Sequence, residues 1–435
     1  MRKLLCFALC LSATALWAQQ EPVAFSGMRL ITAAGPEIEN GLLVIQDGKI
    51  LYAGRYQTRR IPKRAKNFNL SGKVIMPGLV DTHSHVGGVS GADRSAPIQP
   101  EVRAMDSINV RSSAFQKAQA GGITTANIMP GSGHLMSGQT LYVKFRDGKT
   151  IDDLFILDEE GKPMGGMKMA NGTNSRRTAP FPGTRAKSAS LVREKFIAAQ
   201  EYKKKKDAAG DDASKLPPRD LAKEALIELM ERKKVVHHHT HRHDDILTVI
   251  RLAKEFNLDV VLHHVSEAWM VADEIAASGM PSSVIVLDSP GGKLEAMHLR
   301  SENGVVLEKA GALVGFHTDD PITDSRLFLR SAAMAVRYGM SREKALEALT
   351  IAGAKMLRLE DRTGSLEKDK DADFVILSGD PLSLYTQVLE TWIDGTKVFD
   401  RSNEKDRLYA VGGYGSTHDT GRIHVHDIVE EEGEE

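Results

Sequence analysis

The sequence predicts an α/β fold in which a (β/α)8 barrel of the TIM type is inserted in a small β-sandwich domain formed by both chain ends. Two observations lead to this prediction. Through the middle of the chain, short apolar runs alternate with segments of helical periodicity, which indicates parallel strands joined by helices. Strand and hairpin patterns lie on both sides of that region, so the two ends are expected to share one small domain.

The overall composition limits the class of protein and its partners. A chain of 435 residues exceeds the roughly 250–300 at which a single core stops growing, so one large and one smaller domain are expected. With 41% hydrophobic and 26% charged residues, the composition is that of an ordinary soluble globular protein. The formal charge of −1 gives no reason to expect nucleic acid or an anionic membrane as a partner. We expect a small-molecule substrate and leave a homo-oligomer open.

Residues 1–18 have the pattern of a secretory signal peptide, with a basic start, an apolar centre and a cleavage site. The apolar centre is too short to remain as a membrane-spanning helix, so no stable span is expected. Both cysteines, Cys6 and Cys10, lie in this segment, so the mature chain is expected to have no disulfide and no thiolate ligand. We expect export to a periplasm or to the exterior. Lipid anchoring at Cys10 is disfavoured, because Leu9 is bulkier than such sites require.

Two similar patterns define the small domain. Residues 19–73 consist of short apolar runs and turns, including an Asp-Gly pair at 47–48 between alternating runs, which predicts a hairpin. A second Asp-Gly pair at 394–395 has the same setting, so residues 359–412 are expected to complete the β-sandwich domain. The acidic segment 413–435 is expected to be a disordered tail.

Residues 74–358 are expected to form the barrel. Its eight predicted strands are 74–80, 123–129, 141–145, 167–169, 235–239, 260–264, 284–287 and 312–316. Its predicted helices are 107–120, 190–206, 221–233, 246–256, 268–277, 324–337 and 341–357. Eight is the number of strands that closes such a barrel. A long polar loop is expected at 171–189, after the fourth strand.

Candidate metal ligands lie at the ends of several predicted strands. His83 and His85 follow the first strand, and alternation along a strand directs both imidazoles to one side. Two neutral imidazoles can bind one divalent metal, although an isolated His-x-His pair is weak support. The ends of barrel strands face the active site, and further residues able to bind metal lie at other strand ends: Lys168, His239, His264 and Asp319. The repetition predicts a metal site.

The first of these strand ends resembles a known family motif. Residues 77–85, Pro-Gly-Leu-Val-Asp-Thr-His-Ser-His, are similar to the first-strand motif of the amidohydrolase superfamily. Members of that superfamily are metal-dependent hydrolases and deaminases built on a (β/α)8 barrel. From about residue 24 to about residue 400 the chain resembles the imidazolonepropionase-like branch, which includes exported prolidase-like enzymes.

The resemblance implies roles for a lysine and an aspartate. Lys168 stands where related enzymes have a carboxylated lysine that bridges two metals. Carboxylation is required for that role because a free ammonium has no lone pair to offer a metal. A plain ion pair of Lys168 with an acidic residue or with substrate stays open, and Lys144 is the reserve candidate. Asp319, in 315–321, matches the family's Thr-Asp motif and would bind metal and transfer protons. The alternative role of helix cap fits Asp320 better.

Two runs of histidines are ambiguous in register. Alternation would place His237, His239 and His241 on one face of the fifth strand. The family pattern implies that His239 binds metal and that His241 contacts substrate or supports a ligand. In the sixth strand the family pattern implies that His264, and not His263, is the ligand.

Two loops are expected near the substrate. His134 lies in a glycine-rich loop after the second strand and is a candidate for substrate contact. Arg177 and Arg185, in the loop after the fourth strand, are candidates for binding a substrate carboxylate. Exposure of both arginines to solvent agrees at least as well with the sequence.

Together these features predict a metal-dependent amidohydrolase that uses two divalent ions, zinc by expectation, to cleave a non-polymeric C–N bond. Metal-activated hydroxide would attack the substrate, Asp319 would carry the proton to the leaving nitrogen, and dipeptides are the leading substrate class. One alternative is a mononuclear imidazolonepropionase-type cyclic-amide hydrolase or deaminase that uses His83, His85, His239 and Asp319. An alternative of another class is a non-catalytic exported metal-binding protein.

Overall fold

The structure, a computed structural model, describes residues 21–286 and 294–412. The predicted signal peptide and the predicted acidic tail lie outside the described residues. So does the last residue of the strand predicted at 284–287. Within the described ranges, no helix is both long enough and apolar enough to cross a bilayer.

The strands and helices of the described residues alternate through the middle of the chain. The strands are β1 (Val23–Ser26), β2 (Arg29–Leu30), β3 (Gly41–Gln46), β4 (Lys49–Arg55), β5 (Lys66–Asn69), β6 (Val74–Pro77), β7 (Leu79–Ser84), β8 (Ile123–Ile128), β9 (Met136–Gln139), β10 (Leu141–Lys144), β11 (Met167–Ala170), β12 (Val236–Thr240), β13 (Val260–His264), β14 (Ser282–Val284), β15 (Val314–Phe316), β16 (Phe374–Leu377), β17 (Val388–Ile393) and β18 (Thr396–Asp400). The helices are α1 (Ala114–Ala120), α2 (Arg185–Ala209), α3 (Leu221–Met230), α4 (His243–Phe256), α5 (Ala272–Ser278), α6 (Asn303–Ala310), α7 (Arg330–Arg337), α8 (Arg342–Ala348), α9 (Ile351–Met356) and α10 (Glu404–Val411).

Both chain ends contribute strands to the small sheets. One sheet has the order β4-β3-β1-β5, and a second has the order β18-β17-β16-β6-β2, so it joins strands from both ends. The two predicted Asp-Gly hairpins are present, since Asp47 and Gly48 have φ values of 50° and 77°, and Asp394 and Gly395 have 48° and 71°. Positive φ at both central residues is what a two-residue turn between twisted strands requires.

The central strands form a TIM-barrel-type α/β fold with mixed sheets. β7 pairs in parallel with β8, and β11, β12, β13, β14 and β15 pair in parallel in that order. Ser84, at the end of β7, forms a parallel bridge with Asp320, after β15. The carboxyl ends of the first and last of these strands therefore meet.

The third predicted strand runs in the opposite direction to the one expected. Residues 141–145 were expected to form a parallel strand, but β10 runs antiparallel to β8 and β9 runs antiparallel to β11. Residues 129–140, between the paired strands β8 and β10, contain β9 and no helix. Without a crossover helix to carry the chain back to the start of β8, β10 pairs with β8 in the antiparallel direction.

Several helix bounds also differ from the prediction. Helix α2 begins at Arg185 and not at 190, because the Thr184 side chain accepts a hydrogen bond from the backbone N–H of Lys187 and caps it. The helix predicted at 341–357 is divided between α8 and α9 by Thr350, whose φ and ψ are −134° and −98°. Helices α6 and α10 were not predicted.

A buried lysine joins the barrel to the C-terminal strands. The Lys144 ammonium lies 2.6 Å from Asp371, 2.9 Å from Asp373 and in contact with Asp394. Burial alone would lower the pKa of Lys144, but the three carboxylates raise it above its ordinary value. This lysine is therefore a charged structural group.

Asp380 is expected to stabilise the protein in a pH-dependent way. Its carboxylate lies 2.8 Å from Arg29 and 2.8 Å from Arg342. Burial acts to raise its pKa, but the Arg342 and Arg29 hydrogen bonds and that from the Leu382 backbone lower it to about 2, from 3.8. A lowered folded-state pKa gives stability that is complete above about pH 4 and is lost as the pH falls through about 2.

We therefore expect Asp380→Asn to lower the free energy of unfolding by about 1 kcal/mol at pH 7, a value that allows for partial solvent screening. The difference from wild type should shrink between about pH 4 and pH 2 in urea titrations. A difference that stayed constant over this range would contradict the proposed source of the stability.

Candidate metal centre

Three donor atoms from two distant parts of the chain meet at the carboxyl ends of β7 and β15. The Nε2 atoms of His83 and His85 are 3.3 Å apart. They lie 3.3 Å and 3.0 Å from Oδ1 of Asp319. A tetrahedral metal with bonds of about 2.0–2.1 Å separates its donors by roughly 3.3 Å. The three atoms therefore fit one divalent ion.

Asp81 connects the strand end that carries His83 to the segment that carries Asp319. Its Oδ1 accepts hydrogen bonds from the backbone N–H of His83 at 3.2 Å and of Thr318 at 3.1 Å, and its Oδ2 accepts from the Thr318 hydroxyl at 2.5 Å. Burial raises the pKa of Asp81 to about 7 against these hydrogen bonds. The backbone N–H of Asp319 donates to the His83 carbonyl at 2.9 Å. The two strand ends are thus locked together with Asp319 facing the histidines.

The imidazoles are prepared to donate lone pairs. Nδ1 of His85 lies 2.7 Å from the carbonyl oxygen of Met129, which can only accept, so Nδ1 carries a proton and Nε2, beside Asp319, is the nitrogen that would give up its proton to bind a metal. Burial holds the pKa of His83 and of His264 well below the ordinary value. Neutral histidine is the form that binds metal.

The carboxylate of Asp319 remains ionised beside these imidazoles. Burial alone would raise the pKa of Asp319, but the hydrogen bond and the charge of His85 hold it below the ordinary value. Asp319 has a φ of 53°, a left-handed conformation that Asp tolerates better than most residues.

Lys168 reaches the same centre from β11. It is fully buried, and its Nζ lies 3.0 Å from Nε2 of His83 and 3.3 Å from Sδ of Met129. The reserve candidate, Lys144, lies instead among the aspartates described above. The structure therefore brings Lys168, and not Lys144, to the histidines.

A second set of histidines adjoins the first. The ring centroids of His239 and His264 are 4.4 Å apart, those of His239 and His241 are 4.6 Å apart, and that of His264 is 5.0 Å from His83. Nε2 of His264 is buried and has no hydrogen-bond partner, so a metal at this place would satisfy it. The residues that the structure collects in one site are His83, His85, Lys168, His239, His241, His264 and Asp319.

The ambiguous histidines divide between two faces. His237 turns into the barrel, where its Nε2 lies 2.8 Å from the Tyr142 hydroxyl and its Nδ1 lies 3.0 Å from Nε2 of His263. His243 faces outward and contacts Glu267 at 2.7 Å. The alternation expected for His237, His239 and His241 is confirmed, because His237 contacts His263, whose ring also contacts His83, and the rings of His239 and His241 contact each other and His264.

Two residues of the site were missed. His317 lies 3.2 Å from His264 and stacks on His83, with ring centroids 5.0 Å apart. Its position two residues before Asp319, at a strand end, was a signal that could have found it. Glu295 places a carboxylate oxygen within 4.8 Å of the ligand atoms of His239 and His241. No local pattern marks Glu295.

The candidates for substrate contact have partners within the protein. The His134 ring is buried 5.1 Å from that of Phe181, and burial lowers its pKa. Arg177 donates to the Gly133 carbonyl. Arg185 lies at the start of α2, with Nε 2.7 Å from Asp245. Their contact with substrate stays a prediction.

The adjacent aspartate, Asp320, contacts the start of the turn Ser325–Leu327, but the cap of that turn is Asp324, whose Oδ1 accepts a hydrogen bond from the backbone N–H of Arg326 at 2.9 Å. Oδ2 of Asp320 accepts hydrogen bonds from the backbone N–H of Ser325 at 3.0 Å and from its hydroxyl at 2.6 Å. The Asp320 carboxylate therefore stabilises the turn Ser325–Leu327, whereas the Asp319 carboxylate is the one that contacts His83 and His85.

Comparison with known proteins agrees with this architecture. The amidohydrolase family model matches residues 74–400. An amidohydrolase structure from Thermotoga maritima MSB8 has 33% sequence identity and a TM-score of 0.81, over 87% of this chain and 100% of that one. An amidohydrolase of Hapsidospora irregularis is 26% identical over 393 residues, 83% of this chain but 39% of that longer protein. An imidazolonepropionase of Acinetobacter baumannii is 24% identical over 372 residues, 78% of this chain and 87% of that protein.

Enzymes of this family typically bind metal and act on small molecules, and the residue groups of the centre suit a metal. The family match extends from β6 to the end of β18 and includes every strand that supplies a candidate ligand. The chain belongs to the amidohydrolase family and is a hydrolase that acts on C–N bonds.

Proposed function

We propose that this protein is a dinuclear metal hydrolase that cleaves the C–N bond of small, non-polymeric amides, with dipeptides as the leading substrate class. The observation that carries the proposal is the separation of 3.0–3.3 Å among the donor atoms of His83, His85 and Asp319. Those separations match the edges of a tetrahedral site.

Each metal has a proposed set of ligands. His83, His85 and Asp319 would hold one ion, and His239 and His264 would hold the second. Lys168, carboxylated at N6, would bridge them. Its Nζ lies 3.0 Å from His83, which supports this place for it. All the donors are nitrogen or oxygen, a set that zinc accepts.

Metal ions bound here would act as Lewis acids and lower the pKa of a coordinated water towards neutrality. Asp319 is ionised and would take a proton from the attacking water and pass it to the leaving nitrogen. The carbonyl carbon gains the oxygen of water as its bond to nitrogen breaks, and the amine leaves neutral. His134 and His241 are proposed to contact the substrate.

A mononuclear imidazolonepropionase-type hydrolase or deaminase is the second candidate. It is supported by the similarity to the Acinetobacter baumannii imidazolonepropionase. It is also supported by the Lys168 contact with His83, which an unmodified ammonium can make. His83, His85, His239 and Asp319 would then hold one ion, and His264 would contact substrate.

Metal content separates the two candidates. We expect about two zinc ions per chain by mass spectrometry, and about one in Lys168→Met, because removal of the bridging anion leaves two cations close together. Lys203→Met, on the exposed part of α2, is the control and should keep both ions. One ion in both wild type and Lys168→Met would favour the mononuclear enzyme.

A substrate screen tests the reaction itself. The metal-loaded protein should hydrolyse members of a set of dipeptides, N-acyl amino acids, lactams and aminated heterocycles. Cleavage restricted to lactams or heterocycles would favour the mononuclear candidate. Metal binding without any turnover would favour the non-catalytic protein.

The remaining architecture and setting are also proposed. We propose that β7 to β15 close a barrel over residues 74–358 and that residues 19–73 and 359–412 pack as one β-sandwich domain. The sheet that joins β2 with β16 supports a domain shared by both chain ends. That sheet also contains β6 (Val74–Pro77), so the strand predicted at 74–80 is divided between this sheet and the barrel strand β7. We further propose that residues 1–18 direct export to a periplasm or the exterior.

A further inference from the structure

We propose that Glu295 binds the ammonium group of the substrate, so that the enzyme prefers dipeptides with a free α-amino group. This inference rests on the proposed hydrolase function and adds to it the charge that the substrate carries beside the scissile bond. The proposed reaction leaves the Glu295 carboxylate without a role.

One oxygen of Glu295 is held firmly by the loop after β11. The residue is 2% exposed, and its Oε2 accepts the backbone N–H of Thr173 at 2.6 Å. Gly172, with a φ of 77°, lies against the same oxygen, and a Cβ there would come within 2.3 Å of it. The loop is therefore shaped around this carboxylate and fixes its orientation.

The other oxygen has no protein partner. Oε1 of Glu295 is buried and accepts no hydrogen bond. A buried carboxylate oxygen left in that state costs free energy, which a hydrogen-bond donor placed beside it would recover. The carboxylate lies within 4.8 Å of the ligand atoms of His239 and His241, so that donor would stand beside the reacting bond.

The charge of the surroundings indicates a cationic donor. Among the described residues, the salt bridge of Glu295 is with the guanidinium of Arg185, which lies 2.7 Å from Asp245 and 3.5 Å from Glu295. These two carboxylates share that one guanidinium, so together the three groups carry a net negative charge. A ligand with a positive charge complements it, whereas a ligand carboxylate would be repelled.

A dipeptide places such a charge at a suitable distance. Its α-ammonium nitrogen is separated from the scissile carbonyl carbon by one carbon atom. An anchor for that nitrogen must therefore lie next to the metal ligands, as Glu295 does. Among small amides, the class that fits is the one with a cationic nitrogen adjacent to the cleaved bond.

The test compares L-dipeptides with the same dipeptides acetylated at the amino group. For wild type we expect kcat/KM about 100-fold higher for the free amines, the effect of one buried charge pair. Glu295→Gln should lose most of that preference, chiefly through KM, and its activity on the N-acetyl set should stay within about threefold. Zinc content should be unchanged. Asp244→Asn is the control, because it removes the charge of the carboxylate next in sequence to Asp245, which is already paired with Arg242.

Each contrary result has a distinct meaning. If Glu295→Gln lowered kcat/KM equally for the free-amine and the N-acetyl dipeptides, Glu295 would only stabilise the loop after β11, and the inference would be overturned. Loss of one zinc would make it a metal ligand and overturn the inference too. If wild type cleaved the N-acetyl set equally well, the inference would fail and the hydrolase would stand. Cleavage of neither set would remove the dipeptide hydrolase and this inference together.

Discussion

Asp319→Asn is expected to lower kcat by at least about 10³-fold while the protein stays folded. Transfer of a proton by a positioned side chain typically contributes about 10²–10⁴-fold, and this carboxylate also lies among the candidate metal ligands. Its Oδ1 is 3.0 Å from His85 and 3.3 Å from His83, so the amide would weaken metal binding as well. Single-turnover rates on the best substrate of the screen, with zinc content measured in parallel, give the result.

The neighbouring residue supplies the control. Asp320→Asn makes the same change one position later, where the carboxylate supports the turn at Ser325. This control should lose about 1 kcal/mol of stability and keep nearly all its turnover. If Asp319→Asn retained wild-type turnover, the proton-transfer role would be wrong. If no substrate were found but zinc binding persisted, the non-catalytic metal protein would be favoured.

Lys144→Met is expected to have the largest effect on stability, a loss of about 3–5 kcal/mol in the free energy of unfolding. Removal of one partner from a buried ion network leaves the other charges uncompensated in a poorly solvated place. Lys144 is 1% exposed and contacts Asp371, Asp373 and Asp394, so three carboxylates lose their shared cation. Urea denaturation at pH 7 measures the loss.

A second lysine on the same network is the matched control. Lys49 contacts Asp371 at 2.6 Å, but its side chain is 52% exposed. Lys49→Met should therefore cost less than about 1 kcal/mol, as exposed pairs do. Equal losses in the two variants would show that burial is not what gives Lys144 its importance.

The residues of the centre that could be predicted from the sequence are those whose placement follows from a two-residue spacing at the end of a strand. His83 and His85 are two residues apart at the end of an apolar strand, and alternation alone directs them to one side. The same rule applies to His239 and His241, whose rings do face the same site. His317 and Asp319 are also two residues apart and both face His83, but they follow the end of β15 and Asp319 has a φ of 53°, so strand alternation does not explain their placement.

Other features depended on partners far away in the chain. Residues 141–145 carry a strand pattern, yet a strand pattern does not state whether the neighbour runs parallel or antiparallel. The direction of the β8–β10 pair followed from the connection at 129–140, which contains β9 and no crossover helix. Likewise Lys144 and Lys168 both lie on apolar strands, and only the packing placed one among aspartates and the other beside His83.

The amino-acid sequence by itself determined the strand–helix alternation, the family motif at 77–85 and most of the candidate ligands, because each is a property of residues close together in the chain. Tertiary structure alone decided which lysine meets the histidines, where Arg185 finds its partners and how Glu295 comes to face the centre. The physical reason is that charges and hydrogen-bond donors are matched across the folded core, between segments whose separation in sequence carries no periodic signal.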